Sequence, residues 1–351
     1  MAAGGVPDAT KFRWERLPDM PTARTYCVAA YLDKHIYVVG GCGSDGKAMD
    51  VAEVYSITKK EWEKLPPAPH KRAGCENPVC LEQKVIFVGG TDENQKPLAE
   101  IDVLNTATKT WESFPPLPSG GRIKPVVKLI GRRLFVIAGA NEDRKGESDG
   151  RYLDLDRLEW VDIPPMKEGR YTPTGHVYAS KLYVIGGRTE MKPVDGCEIL
   201  DLETLQWEPM AMLPKSAVFY SVVGLNADIF VIGGMQPPNL ILKKVYRYRI
   251  GEEDSWDTMR DLMSSRTDFA AGVVCGRVVV TGGLGIGEKM AVGRSETEAL
   301  TGNKRRWERL PSMLKSRLGL STVCWEGNMA VVGGLGQGGP LATVEILTVD
   351  E

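Results

Sequence analysis

Histidine is nearly missing from this chain: His35, His70 and His176 are the only three in 351 residues. They lie far apart in sequence, so a three-histidine metal site would need convergence from distant segments, and acid-base options are few. Seven cysteines, at 27, 42, 75, 80, 197, 275 and 324, are scattered without a CxxC spacing. That excludes a disulfide framework or a zinc-finger site as the organising element and fits a reducing cytosol. No apolar run approaches the roughly 20 residues of a membrane helix. The first residues, MAAGGVPDATKFRW, lack the basic start and apolar core of a signal peptide. The expectation is a soluble, cytoplasmic protein. Helical periodicity is absent throughout. Charge of one sign is lacking too: 44 Lys and Arg against 46 Asp and Glu leave a formal −2, too little for a field that draws nucleic acid or an anionic membrane.

What is present is repetition. The run His35-Ile-Tyr-Val-Val stops at Gly40-Gly41, and the glycine pair returns at Gly89-Gly90, Gly186-Gly187, Gly233-Gly234, Gly282-Gly283 and Gly333-Gly334, with Ala138-Gly139 as a degenerate copy. The seven copies are 47 to 51 residues apart. Trp62, Trp111, Trp160, Trp207, Trp256 and Trp307 follow a glycine pair by 20 to 24 residues. An acid stands nine positions before the tryptophan at Glu53, Asp102, Glu198 and Glu298, whereas Arg151 and Arg247 depart. An arginine precedes the second glycine by 17 or 18 residues at Arg24, Arg72, Arg122, Arg170, Arg266 and Arg317, and Ala217 breaks that series.

Each repeat reads as four short strands, in the first about 25–32, 35–39, 51–56 and 61–65, separated by turn residues such as Asp33-Lys34 and Gly43-Ser44-Asp45-Gly46. A period near 50 with four strands per unit is the mark of a propeller blade. The last repeat ends at Glu351 before any tryptophan, while Trp14 has no strands before it, and Trp14-Glu-Arg-Leu-Pro matches Trp307-Glu-Arg-Leu-Pro. The segment near Trp14 is therefore the fourth strand of the seventh blade, which closes the ring through the two chain ends. The expected fold is all-β, a seven-bladed propeller in one domain over 12–351, with a tail at 1–11. The glycine pair, where the second strand leaves the sheet, lets the backbone turn sharply and the next blade approach closely. The tryptophan packs between blades, small residues fill the innermost strand, and Pro78, Pro125 and Pro173 fall on that strand.

The pattern resembles the kelch repeat over about residues 12 to 350: glycine pair after the second strand, a Glu-Val-Tyr-like third strand, tryptophan on the fourth. The resemblance implies a protein-binding propeller, with adaptors for ubiquitin ligases among its members. With 13 residues before Trp14 and none after the seventh repeat, the accompanying BTB and BACK domains are expected to be absent, so that role would need a separate partner or another surface of this chain. It implies two alternatives as well: an enzyme in the propeller mouth, such as a kelch-like oxidase or sugar isomerase, or a cytoskeletal or cell-division scaffold. The oxidase carry-over fails on the missing secretion signal and paired histidines. Strings such as GGLGIG imitate a phosphate loop, but no helix pattern follows them.

The loops after the glycine pairs and those joining blades emerge on one face, and scaffolds place function in such loops. The joining loops are basic. One reading is a shallow bowl in which Arg24, Arg72, Arg122, Arg170, Arg266 and Arg317 receive an acidic segment of a partner, since guanidinium forks suit carboxylates. The other is that each arginine pins its own turn or pairs with an acid of a blade, because it recurs with the repeat. Tyr26, Lys71, Lys124, Tyr171, Phe219 and Asp268 vary between blades and are the candidates for specificity. No catalytic residue, metal or cofactor is expected; the partner is a protein, without nucleic acid or membrane, and the chain a monomer.

Overall fold

The second strand of every repeat is its most apolar, and its side chains are buried on both faces: Ile36, Val38 and Val39, or Leu134 and Ile137, have no exposed area. A strand so buried must have packing partners on both sides, and the computed structural model, which describes residues 8–190, 192–287, 290–303 and 306–350, supplies them. Seven four-stranded antiparallel sheets, each a meander, form the blades of a seven-bladed β-propeller.

Two compact units are distinguished, Tyr26–Val218 and Met1–Thr25 with Phe219–Glu351. The first holds blades one to four. Blade one runs Val28–Leu32, His35–Val39, Ala52–Ser56, Glu61–Lys64, and the innermost strands of the other three are Val79–Leu81, Val126–Ile130 and Thr174–Tyr178. Apolar clusters lie between successive blades: Tyr37, Val39 and Val54 of blade one meet Val85 and Phe87 of blade two, whose Ile86 and Val88 turn the other way to Val127 and Leu134. The second unit holds blades five to seven, with innermost strands Ser221–Leu225, Ala270–Val274 and Ser321–Trp325. Phe12–Leu17 pairs with Val344–Val349 in register from Phe12 opposite Val349 to Leu17 opposite Val344. Trp14 thus supplies the fourth strand of blade seven, as its likeness to Trp307 requires. Residues 1–7 of the expected tail lie outside the described residues; Ala9–Lys11 is a single 3-10 turn capped by Asp8.

Both glycines of a pair have positive φ, as at Gly233 (63°) and Gly234 (93°). A Cβ on Gly233 would stand 2.7 Å from the Arg266 carbonyl oxygen of the next joining loop, while the Gly234 N–H donates to that same oxygen at 2.9 Å. The pair is therefore a contact between blades as well as a turn. The tryptophans serve the same purpose. The indole N–H of Trp111, Trp160 and Trp207 donates to the carbonyl of Pro66, Pro115 and Pro164 in the preceding blade, at 2.8, 3.2 and 2.7 Å. Trp14 does so to Pro311 at 3.0 Å.

One expectation needs correction. Pro78, Pro125 and Pro173 stand one residue before the innermost strands, which begin at Val79, Val126 and Thr174. Having no N–H, proline is used where pairing has not yet begun.

Candidate functional site

Every joining loop has the same local geometry. Two residues after the arginine position the backbone enters the left-handed region, at Tyr26 (φ 52°), Gly74 (61°), Lys124 (48°), Thr172 (56°), Phe219 (54°), Asp268 (51°) and Gly319 (57°). A side chain there costs roughly 1–2 kcal/mol relative to glycine. Backbone bonds between successive loops hold the conformation: Gly74 N–H to the Tyr26 carbonyl and Thr172 N–H to the Lys124 carbonyl, each 3.1 Å, and in the other unit Asp268 N–H to the Phe219 carbonyl, 3.3 Å.

Beneath this surface lie the arginines, and here the basic-bowl expectation is overturned. Arg24, Arg72, Arg266 and Arg317 have no exposed area, Arg170 has 1% and Arg122 5%. Nη2 of Arg72 donates to Asp102 at 2.5 Å, of Arg170 to Glu198 at 2.8 Å and of Arg266 to Glu298 at 2.7 Å; Arg317 pairs likewise with Glu345. Nη1 of Arg72, Arg266 and Arg317 donates to the first-glycine carbonyls of Gly89, Gly282 and Gly333, at 3.1, 3.0 and 2.9 Å. Burial pushes the Arg266 and Arg317 guanidinium groups below the ordinary range, and Glu298 and Glu345 oppose that shift. A group already desolvated and bonded on both arms has nothing to offer a ligand. The arginine marker and the acid marker are thus two halves of one buried ion pair. That explains the departures: blade five lacks both halves, Ala217 and Arg247, and Arg247 pairs with Asp257 at 2.7 Å instead. In blade three, Arg151 displaces the acid, and Asp149 two positions earlier takes Arg122 at 3.0 Å.

The six other candidates separate by exposure. Tyr26 and Phe219 are 41% and 42% exposed. Lys71 is exposed, with Nζ 3.4 Å from Glu93. Lys124 is half-buried and donates to the Cys75 carbonyl at 2.9 Å, and Asp268 is half-buried. Tyr171 is a second correction: it is buried, its hydroxyl donates to the Glu190 carbonyl at 2.7 Å, and the Arg188 guanidinium lies 4.5 Å from its ring centre. It braces the loop of blade four and does not face solvent.

The histidines are dispersed. His35 opens a strand with Nδ1 2.7 Å from the Asp33 carbonyl. His70 touches the buried Asp102, 2.9 Å away, on the side opposite Arg72. The Nε2 of His176, on the innermost strand of blade four, is buried with no hydrogen-bond partner among the described residues; burial and Lys128 hold its pKa below the usual histidine value. Cys75 is buried, as is Cys27, and burial raises the Cys75 thiol pKa. Among the described residues no three His, Cys, Asp or Glu side chains stand together as metal ligands.

A hollow of about 610 Å³ opens on the loops of blades one to three. Its carboxylates, Asp50, Asp92, Glu93, Glu100 and Glu142, outnumber Lys71 and Lys96, so with the arginines buried this part of the face is acidic. Sequence reasoning missed a second group altogether. Leu240, Met263, Ile286, Met290, Val292, Leu314 and Leu335, in the joining loops and small two-stranded hairpins of the second unit, are 36% to 71% exposed. Their signal was visible, since bulky apolar residues occupy segments whose neighbours are turn-formers.

The Kelch motif model matches residues 23–69 and 169–213, spanning blades one and four with their joining loops. The seven blades, with glycine pairs closing on the next joining loop and the indoles of Trp14, Trp111, Trp160 and Trp207 bonded across blades, carry the kelch motif where that model matches. The chain is similar to Kelch domain-containing protein 8B of human and rat, 32% identical over 169 residues, which span 44% of this chain and 46% of those proteins. Kelch-like protein 41b of zebrafish is 28% identical over 155 residues, 44% of this chain and 25% of that one. The match therefore covers about half the length of the first relatives. The solved structure of YjhT superposes with a TM-score of 0.63 at 15% identity, over 95% of this chain and 97% of that one, a likeness of fold. Among the described residues no helix is long and apolar enough to cross a membrane.

Proposed function

We propose that the chain is a non-catalytic protein-binding platform of the cytosol, acting as a single chain, whose loop face docks an exposed segment of a partner. One observation carries this reading. Glycine occupies the left-handed joining-loop position in blades two and seven, yet Tyr26, Lys124, Thr172, Phe219 and Asp268 stand at the same position elsewhere. Since glycine fits without strain, a strained residue does there what glycine cannot, and strain of this kind gathers at sites of function. Where a side chain stands there it differs from blade to blade, as selective recognition requires, whereas the ion pairs of blades two, four, six and seven are alike. The names of the relatives, kelch domain-containing and kelch-like, agree with a binding role, and seven free thiols suit a reducing compartment.

The test replaces Tyr26, Lys124, Phe219 and Asp268 by glycine together in the full chain and compares proximity-labelled partners with those of wild type. Glycine relieves strain, so the melting temperature is expected to hold or rise while partners are lost. Retention of every partner by this variant defeats the reading.

A further inference from the structure

Blade six carries a two-stranded hairpin after Gly282-Gly283, Leu284–Ile286 antiparallel to Ala291–Gly293. Gly287 N–H donates to the Met290 carbonyl and Arg294 N–H to the Gly283 carbonyl, both at 2.8 Å. Because inward and outward groups alternate in such a pair, the amides and carbonyls of Leu284, Ile286, Ala291 and Gly293 point outward. On the first strand all four groups are satisfied. Leu284 exchanges two bonds with Thr267, at 2.8 and 2.9 Å; Ile286 donates to Ser265 Oγ at 3.4 Å and accepts from Arg294 Nη2 at 2.9 Å. On the second strand, among the described residues, the N–H and carbonyl of Ala291 and of Gly293 have no protein partner, and both residues are exposed.

Such an edge is a template for another strand, and proteins normally block it with proline or charge. The corresponding strands of blades four and seven contain Pro193 and Pro340. Ala291-Val292-Gly293 contains neither proline nor charge. Apolar side chains surround it: Ile286 (49% exposed), Met290 (71%) and Val292 (37%) on the hairpin, Met263 (46%) and Leu314 (63%) in the joining loops on either side. Ser265 ties the first of these loops to the hairpin, and a Cβ on Gly293 would lie 3.7 Å from Ser316 Cβ of the second. Next to Ser316 is Lys315, exposed, whose ammonium has no carboxylate in ion-pair range among the described residues. Arg294, by contrast, is neutralised by Glu296 at 3.0 Å.

We infer that the Ala291–Gly293 edge is a strand-addition site for an extended partner segment that alternates bulky apolar side chains and carries a carboxylate where it passes Lys315. This rests on the platform reading and names the partner's chemistry. Two donors and two acceptors, two residues or about 6.6 Å apart, set the backbone register. The exposed apolar residues receive alternate side chains, and Lys315 selects the charge.

The test selects random twelve-residue peptides displayed on phage against the full-length protein, then measures the enriched peptides synthetically. The expected winners alternate apolar residues and end in Asp or Glu. Ala291→Pro, which removes one outward donor, is expected to weaken them at least tenfold, and Lys315→Glu several-fold, with melting temperatures near wild type. N-methylation of alternate peptide amides is expected to abolish binding, a control independent of how the variants fold. A selection in which no enriched peptide discriminates Ala291→Pro or the methylated backbone overturns the proposal. So does a wild-type dimer that Ala291→Pro dissociates, for the occupant is then a second copy. The glycine-substituted joining-loop variant separates the two readings: partners lost there but kept by Ala291→Pro leave the platform standing without this edge.

Discussion

The most informative residues here are buried ones with charge. Arg266 and Glu298 are both fully buried and paired. Removing one partner strands the other charge in a dry interior. Arg266→Ala is expected to destabilise the protein by about 3–5 kcal/mol, whereas Arg266→Met with Glu298→Leu recovers part of that loss, held back because the Met263 and Ser264 N–H groups lose Glu298 as their acceptor. Blade five, which folds with Ala217 and Arg247 at these positions, is the natural precedent. Urea unfolding of the two singles and the double checks the point; a double variant as unstable as the worse single would refute it. His176 makes the opposite case, a group held neutral. Its folded pKa lies below the ordinary 6.5 because of burial and Lys128, so the unfolded chain binds the extra proton as pH falls. Stability therefore declines through the window below 6.5. His176→Gln should show a flatter stability profile between pH 7 and 5.5, and parallel profiles for the two proteins would count against this account.

Among elements, the fourth strand depends most on its neighbour. Trp111 is 5.7 Å from the Phe87 ring in its own blade and gives its indole hydrogen to Pro66 in the one before. Trp307 is 6% exposed, yet its indole nitrogen is buried with no hydrogen-bond partner among the described residues. Both are tryptophans at the same place in the repeat, but only one completes its bond. Replacement by phenylalanine should therefore cost about 1 kcal/mol more at Trp111 than at Trp307, the value of a satisfied hydrogen bond against an unsatisfied donor. Thermal denaturation decides; equal losses would show that the bond contributes nothing. Strand existence and order were readable because apolar runs and turn residues alternate so regularly. Strand starts were less so: the innermost strand of blade one begins at Val28, three residues after the expected 25, since the left-handed Tyr26 holds the chain out of the ladder and tyrosine gives no local warning of that conformation.

Across the whole chain, one sheet contains both ends. Phe12–Leu17 covers the outer edge of Val344–Val349, and without it that edge is open to other chains. Deleting residues 8–17 is expected to lower the melting temperature and promote aggregation, and a synthetic peptide spanning those residues should restore part of both. Light scattering with calorimetry tests this, and a deletion variant that melts and scatters like wild type would mean the strand is dispensable.

Sequence alone determined the number of blades, their order and the borrowed first strand, because diglycine and tryptophan are each demanded by a contact that recurs once per blade. It also displayed the arginines of the buried ion pairs and the acids Asp102, Glu198 and Glu298, but not Asp149 or Glu345, which the acid marker did not include. Which half met which, and that the arginines turn inward, was decided only by the packed structure. A guanidinium's environment depends on residues some 30 positions away that desolvate it, and its charge reads the same in sequence whether it faces water or a carboxylate. The unpaired edge of blade six belongs to the same class: an empty hydrogen-bonding position is a property of neighbours in space.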